Sequence, residues 1–222
     1  MLILIQTILP FVQLKSSKMK FVKIVLFLLW SNALLAQNNS KLKLYAIVGS
    51  QINNINPSLN TSFNGNISSF SMGAGSSYYF GNLFFGTEYY YFNSYKSNQD
   101  HKLDFSGMNS TISIGYNILN TNKYQLEPQI GFLMSKNKIL KDDIQKNKTE
   151  YFTDNNRGIT PAVSFNLKKQ SGMIYGVKAG YNYSLNKNNY WKNGIDNSYS
   201  NLSANNNSFF IQLNIGGIIK LK

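Results

Sequence analysis

The chain has no cysteine, one histidine and few charges, and each shortage excludes something. Without cysteine there is no disulfide framework and no thiolate metal site. Only 14% of the 222 residues are charged, against roughly 25% in an ordinary soluble domain, so a charged, water-facing surface is not expected. No apolar run reaches the roughly 18 to 20 residues that a membrane-spanning helix needs. No glycine-rich phosphate loop, metal-ligand cluster or nucleic-acid module is present, and no cofactor is expected. What the chain has instead is 14% aromatic residues, abundant Asn and Ser, and a formal charge of +13.

The N-terminus reads as an export signal. From Met19 the sequence MKFVKIVLFLLWSNALLAQNNS has a basic start at Lys20 and Lys23, an apolar run from Ile24 to Trp30 and a cleavage point between Ala36 and Gln37. That is the layout of a secretory signal peptide. Residues 1–36 are therefore expected to be an N-terminal extension and signal peptide, with Met19 the true start, and residues 37–222 a single domain. Removing residues 1–36 deletes Lys15, Lys18, Lys20 and Lys23 and no acid, so the charge falls from +13 to +9.

Beyond Gln37 the period is two. In MIYGVKAGYNYSL (173–185) one parity carries Met173, Tyr175, Val177, Ala179, Tyr181, Tyr183 and Leu185, and the other Ile174, Gly176, Lys178, Gly180, Asn182 and Ser184. Successive side chains of a strand point to opposite faces, so this is a strand with one bulky apolar face and one small polar face. The pattern recurs and predicts eight strands, at 41–51, 68–80, 83–94, 103–119, 124–135, 158–168, 173–185 and 207–221. Three connections are tight, at Gly81-Asn82, 120–123 and 169–172, with the Gly or Asn that hairpin turns require. Four are long and polar, at 52–67, 95–102, 136–157 and 186–206. Strict alternation of long and short places all tight turns at one end and all long loops at the other.

These features predict an all-β fold, an eight-stranded antiparallel up-and-down transmembrane β-barrel with short periplasmic turns and long extracellular loops. Most of the strands span 11 to 13 residues, enough to cross a bilayer at about 45° and longer than the 5 or 6 typical of soluble proteins. An eight-stranded barrel has an interior just wide enough for side chains. Gly176, Gly180, Ser184, Gly131, Ser113 and Gly115 suit that interior, so the bulky face is expected to meet lipid. Tyr78, Phe80, Phe84, Phe85 and Tyr124 near the turns, and Tyr89, Tyr91, Tyr181, Tyr183 and Phe209 near the loops, would form two aromatic girdles. The alternative is a secreted lipocalin-like barrel, with the apolar face inside around a ligand.

The stretches YQLEPQIGFLM (124–134), STISIGYNIL (110–119) and IYGVKAGYNYSL (174–185) resemble those of the small outer-membrane β-barrels of Gram-negative bacteria, often labelled porin-like. The resemblance covers residues 37–222 and implies an integral outer-membrane protein that is handled by the barrel-assembly machinery. Such barrels commonly end on an aromatic residue, whereas this chain ends IIKLK. Pro128 and Pro161 each remove a ladder donor from an interior strand, so bulges are expected there.

Candidate chemistry is sparse. His101, with Asp100, Ser97 and Ser106, offers the residue types of a rim hydrolase or lipid-modifying enzyme; the plainer reading is a solvated SNQDHK loop. Loop 136–157 sets Lys136, Lys138, Lys141, Lys146, Lys148 and Arg157 against Asp142, Asp143, Glu150 and Asp154. It can meet lipopolysaccharide phosphates or simply be solvated. Parity points Lys178, Glu88 and Glu127 into the barrel, where an unpaired ammonium is heavily penalised. Lys178 is thus expected to pair with Glu127 or Glu88, with Gln125, Gln129, Asn117 and Asn182 around it, plugging the lumen. The functional expectation is a non-enzymatic monomer, structural, surface-interacting or narrowly porin-like, whose partners are outer-membrane lipids and not nucleic acid.

Overall fold

A computed structural model describes residues 40–54, 66–97, 99, 101–145, 148–186, 190–196, 198–203 and 207–221. The expected signal peptide lies outside the described residues, as do Asp100 and most of loop 52–67. Eight long strands are β1 (Ser40–Asn54), β2 (Asn66–Phe80), β3 (Leu83–Ser97), β4 (His101–Tyr116), β6 (Tyr124–Asp143), β7 (Lys148–Lys168), β8 (Met173–Ser184) and β11 (Asn207–Lys220). Three short ones are β5 (Leu119–Asn120), β9 (Tyr190–Asn193) and β10 (Tyr199–Ser203).

Each long strand pairs antiparallel with the next, and β1 closes the ring by pairing with β11 from Lys41↔Lys220 to Asn54↔Asn207. The sheet has no open edge along its spanning part, which is what a strand protein in hydrocarbon requires. The fold is the predicted closed, eight-stranded antiparallel barrel. Its tight connections are also as predicted, with Gly81 at φ 62° and Gly172 at φ 83° in the left-handed conformation that glycine adopts without strain.

Burial alternates residue by residue and answers which face is outside. Leu44, Val48, Phe132, Val163, Leu213 and Ile215 are exposed, whereas Ser71, Gln212, Asn214 and Asn166 are buried. A surface of isoleucine, leucine and phenylalanine around a core of serine, asparagine and glutamine is the inverse of a water-soluble fold, so the solvent is lipid. This excludes the lipocalin-like arrangement.

Inside, glycine and aromatic residues are matched across the ladder. Tyr45 lies opposite Gly75, Phe84 opposite Gly115, Phe92 opposite Gly107 and Phe210 opposite Gly180. A Cβ at any of these glycines would come within 2.7 Å of its partner's ring. The missing side chain is therefore the space into which the ring folds. One predicted girdle residue is corrected by the same fact: Phe84 is buried in the lumen, because its parity is that of Gly86 and Glu88.

Three further expectations are revised. β6 and β7 run to Asp143 and from Lys148, well into the region expected to be the loop 136–157. Twenty and 21 residues exceed the 9 to 11 or so that span a bilayer, so the pair continues outside it as a ribbon. The loop 186–206 contains β9 and β10, and β9 pairs with β7 at Phe152↔Asn193. Finally, Pro161 produces no bulge: β7 and β8 keep one register on either side of it. At Pro128 the ladder with β4 does slip, because Gly115 pairs with Gln129 but Leu119 with Leu126, four residues against three.

Candidate functional site

The lumen is filled from end to end, and its charged part is a pair of cross-braces. Lys178 on β8 reaches Glu88 on β3, Nζ to Oε2 at 2.5 Å, and Lys43 on β1 reaches Glu127 on β6 at 3.1 Å. Around the ring β3 and β8 are four strands apart, and so are β1 and β6. Each ion pair therefore crosses the full width of the barrel, and the second diameter is turned two strands from the first. Both pairs are buried, and desolvation on that scale is tolerated only when the remaining lone pairs and protons are satisfied.

Neighbouring side chains meet that condition. Tyr45 donates to Glu88 Oε1 at 2.7 Å, and Tyr79 donates to Glu127 Oε1 at 2.6 Å. Asn166 donates to Glu127 Oε2 at 2.8 Å and accepts from Lys43 at 3.2 Å. The Lys43 ammonium also stands 5.1 Å from the centre of the Tyr45 ring, and that of Lys178 5.7 Å from Phe210, distances at which a cation is attracted to a ring face. The two braces share Tyr45, so they form one network.

Above the braces, toward the loops, the filling turns neutral and then apolar. Asn182 donates to Ser208 at 2.9 Å and accepts from Thr160 at 2.9 Å, while Gln51, Asn53, Ser69 and Asn109 form a second amide cluster. The internal cavity beside them is about 10 Å³, room for roughly one water. Ile67, Phe92, Leu103, Phe105 and Ile139 then close the mouth together with Trp191, carried in by the β9 hairpin. The indole ring meets Phe105 edge to face, centres 6.5 Å apart.

Of the residues expected in the network, Lys178, Glu88 and Glu127 all face inward. Lys178 contacts Glu88 and not Glu127, whose partner is Lys43. Asn182 serves the amide layer instead of Lys178. Asn117 and Gln125 are buried nearer the turn end, their carbonyl oxygens without a hydrogen-bond partner among the described residues. Lys43 was not anticipated; the signal was present in KLKLY, where Lys43 shares the parity of Tyr45. Of the rim constellation, Asp100 lies outside the described residues, and Ser97 and Ser106 do not share a face with His101. His101 lies opposite Asp143 in the ladder, Ser106 shows the opposite parity, and Ser97 is exposed beside Lys102. Among the described residues no group of three His, Asp or Glu stands close enough to hold a metal.

A ring of strands with an apolar outside and a braced polar inside defines an integral outer-membrane β-barrel with a filled lumen. A solved structure agrees at the level of fold. Ail, the attachment invasion locus protein of Yersinia pestis, superposes with a TM-score of 0.50 at 10% identity, over 82% of this chain and 100% of that one. Neisserial surface protein A gives 0.47 at 15% identity, over 82% and 97%. The outer membrane protease OmpT of Escherichia coli gives 0.41 at 8%, over 83% and 97%. No protein-family model matches the chain, and no curated protein sequence does.

Proposed function

We propose that this protein is a non-conducting, non-enzymatic barrel that works through its outside, its ribbon and loops facing the medium and its wall facing lipid. The observation that carries the reading is the pair of ion-pair braces on crossed diameters, which leaves no path for a hydrated ion. The non-enzymatic reading is supported by the rim residues' directions, His101 having the parity of the lumen and Ser97 and Ser106 the outward one. Planar-bilayer recording of the refolded protein tests it: the expectation is a flat baseline, and a stable open conductance overturns the reading.

The wall offers one partner. On the loop side a groove of about 490 Å³ is lined by Tyr89, Met108 and Met134 with Lys136, Asn155 and Arg157, Lys136 being the ladder partner of Met108 and Arg157 that of Met134. Apolar residues beside two cations suit the acyl chains and phosphates of an outer-leaflet glycolipid. Lipopolysaccharide should therefore raise the urea midpoint of the folded barrel, and Lys136→Gln with Arg157→Gln should remove most of that rise. An unchanged rise in the double variant rejects the groove as the site.

A further inference from the structure

The turn end of the barrel carries a second cationic surface that neither the braces nor the loop-side groove uses. Lys41, Lys168, Lys169 and Lys220 line a depression of about 270 Å³ with Met173, Ile174 and Ile218. Beside it lies another of about 440 Å³, lined by Lys123, Lys168, Tyr124 and Leu167, and the two share Asn122, Lys168 and Gln170. Lys41, Lys168 and Lys220 have the parity of the lumen and ring its mouth, while Lys123 and Lys169 come from the turns.

Among the described residues no side-chain carboxylate forms an ion pair with these lysines. Of the nine acids in the chain, Glu88 and Glu127 are held by the braces. Of the other seven, Asp104, Asp142, Asp143, Glu150, Asp154 and Asp196 belong to the loop end, and Asp100 lies outside the described residues. Five lysines gathered at the turn end, none of them in an ion pair among the described residues, repel one another and favour an anion from outside.

The structure assigns that anion: we infer that the turn end is a site for anionic phospholipid of the periplasmic leaflet. A lipid is favoured over a soluble anion because the depressions run out onto the hydrocarbon-facing wall, where Tyr124, Leu167 and Met173 are exposed. Lys169 is already placed at that boundary, its ammonium 5.2 Å from the centre of the outward Tyr175 ring. A phosphate at the height of the turns would meet Lys123 and Lys168, and its acyl chains would lie along Tyr124 and Leu167.

Native mass spectrometry of the intact barrel in neutral detergent tests this with phosphatidylglycerol and phosphatidylcholine of identical chains, mixed in equal amounts. The wild type should retain phosphatidylglycerol preferentially, and each of Lys41→Gln, Lys123→Gln, Lys168→Gln and Lys220→Gln should lower retention by about fivefold. The variant Lys136→Gln with Arg157→Gln, which disables the loop-side groove, should keep the preference. Heat-modifiable gel migration establishes that each variant is folded. Equal retention of the two lipids by the wild type overturns the inference, as does a preference that survives all four substitutions at the turn end. Inorganic phosphate bound by these lysines with no lipid preference would identify a soluble anion, and that also overturns it.

Discussion

At the scale of single residues, the buried charges fix the pairing of the whole interior. Removing one member of a buried ion pair leaves the other uncompensated, at a cost of about 3 to 5 kcal/mol, while replacing both is far milder. Lys178→Met and Glu88→Gln should each lower the urea midpoint in detergent sharply, with the double variant well short of the sum. Lys178→Met with Glu127→Gln should couple more weakly by the same measure, because only the shared Tyr45 joins the two braces. A cycle that couples Lys178 to Glu127 and not to Glu88 would contradict the contacts described. The inward direction of Lys178, Glu88 and Glu127 was legible because parity is a local property of the chain. Which carboxylate met which ammonium was not, since it depends on how far each strand is staggered against strands half a barrel away.

At the scale of elements, the spanning strands were legible and their extensions were not. Between Ile130 and Phe132 the inward Gly131 stands between two bulky outward residues, a contrast set by a narrow lumen on one side and lipid on the other. Past Lys136 the ribbon has left the bilayer, its outward positions turn polar, and KNKILKDD reads as a loop although it pairs with β7 to the tip. Ile139 and Phe152 keep the inward direction and join the cluster around Trp191. The tip is fastened by charge: Lys148 donates to Glu150 at 2.8 Å, and Lys141 lies 3.8 Å away. The Lys148 hydrogen bond holds the Glu150 carboxyl below its ordinary range. Its contribution is complete above that range and fades as pH falls through the lowered value, and it is small because the pair is largely exposed. NMR titration should find Glu150 ionising at lower pH than a free glutamate, and Lys148→Met should return it toward the ordinary range. An unshifted Glu150 in the wild type would remove the contact.

At the scale of the molecule, the number of strands, their order and the side on which each connection lies followed from a period of two and from loop length. The closed mouth did not, because Trp191 sits in a stretch, NKNNYWKNGID, whose local chemistry is that of a solvated loop. Its burial is created by Phe105 and Leu103, which are distant in sequence. The pairing of β1 with β11 has a consequence of another kind. Residues at one extreme of the domain complete their hydrogen bonds only with residues at the other, so no shorter portion of the chain can be free of exposed edges. Folding is therefore a single late event of high contact order. Until the last strand arrives, an exported chain must be kept from pairing with its neighbours, and the rate at which the ends find each other governs how long it is vulnerable to aggregation.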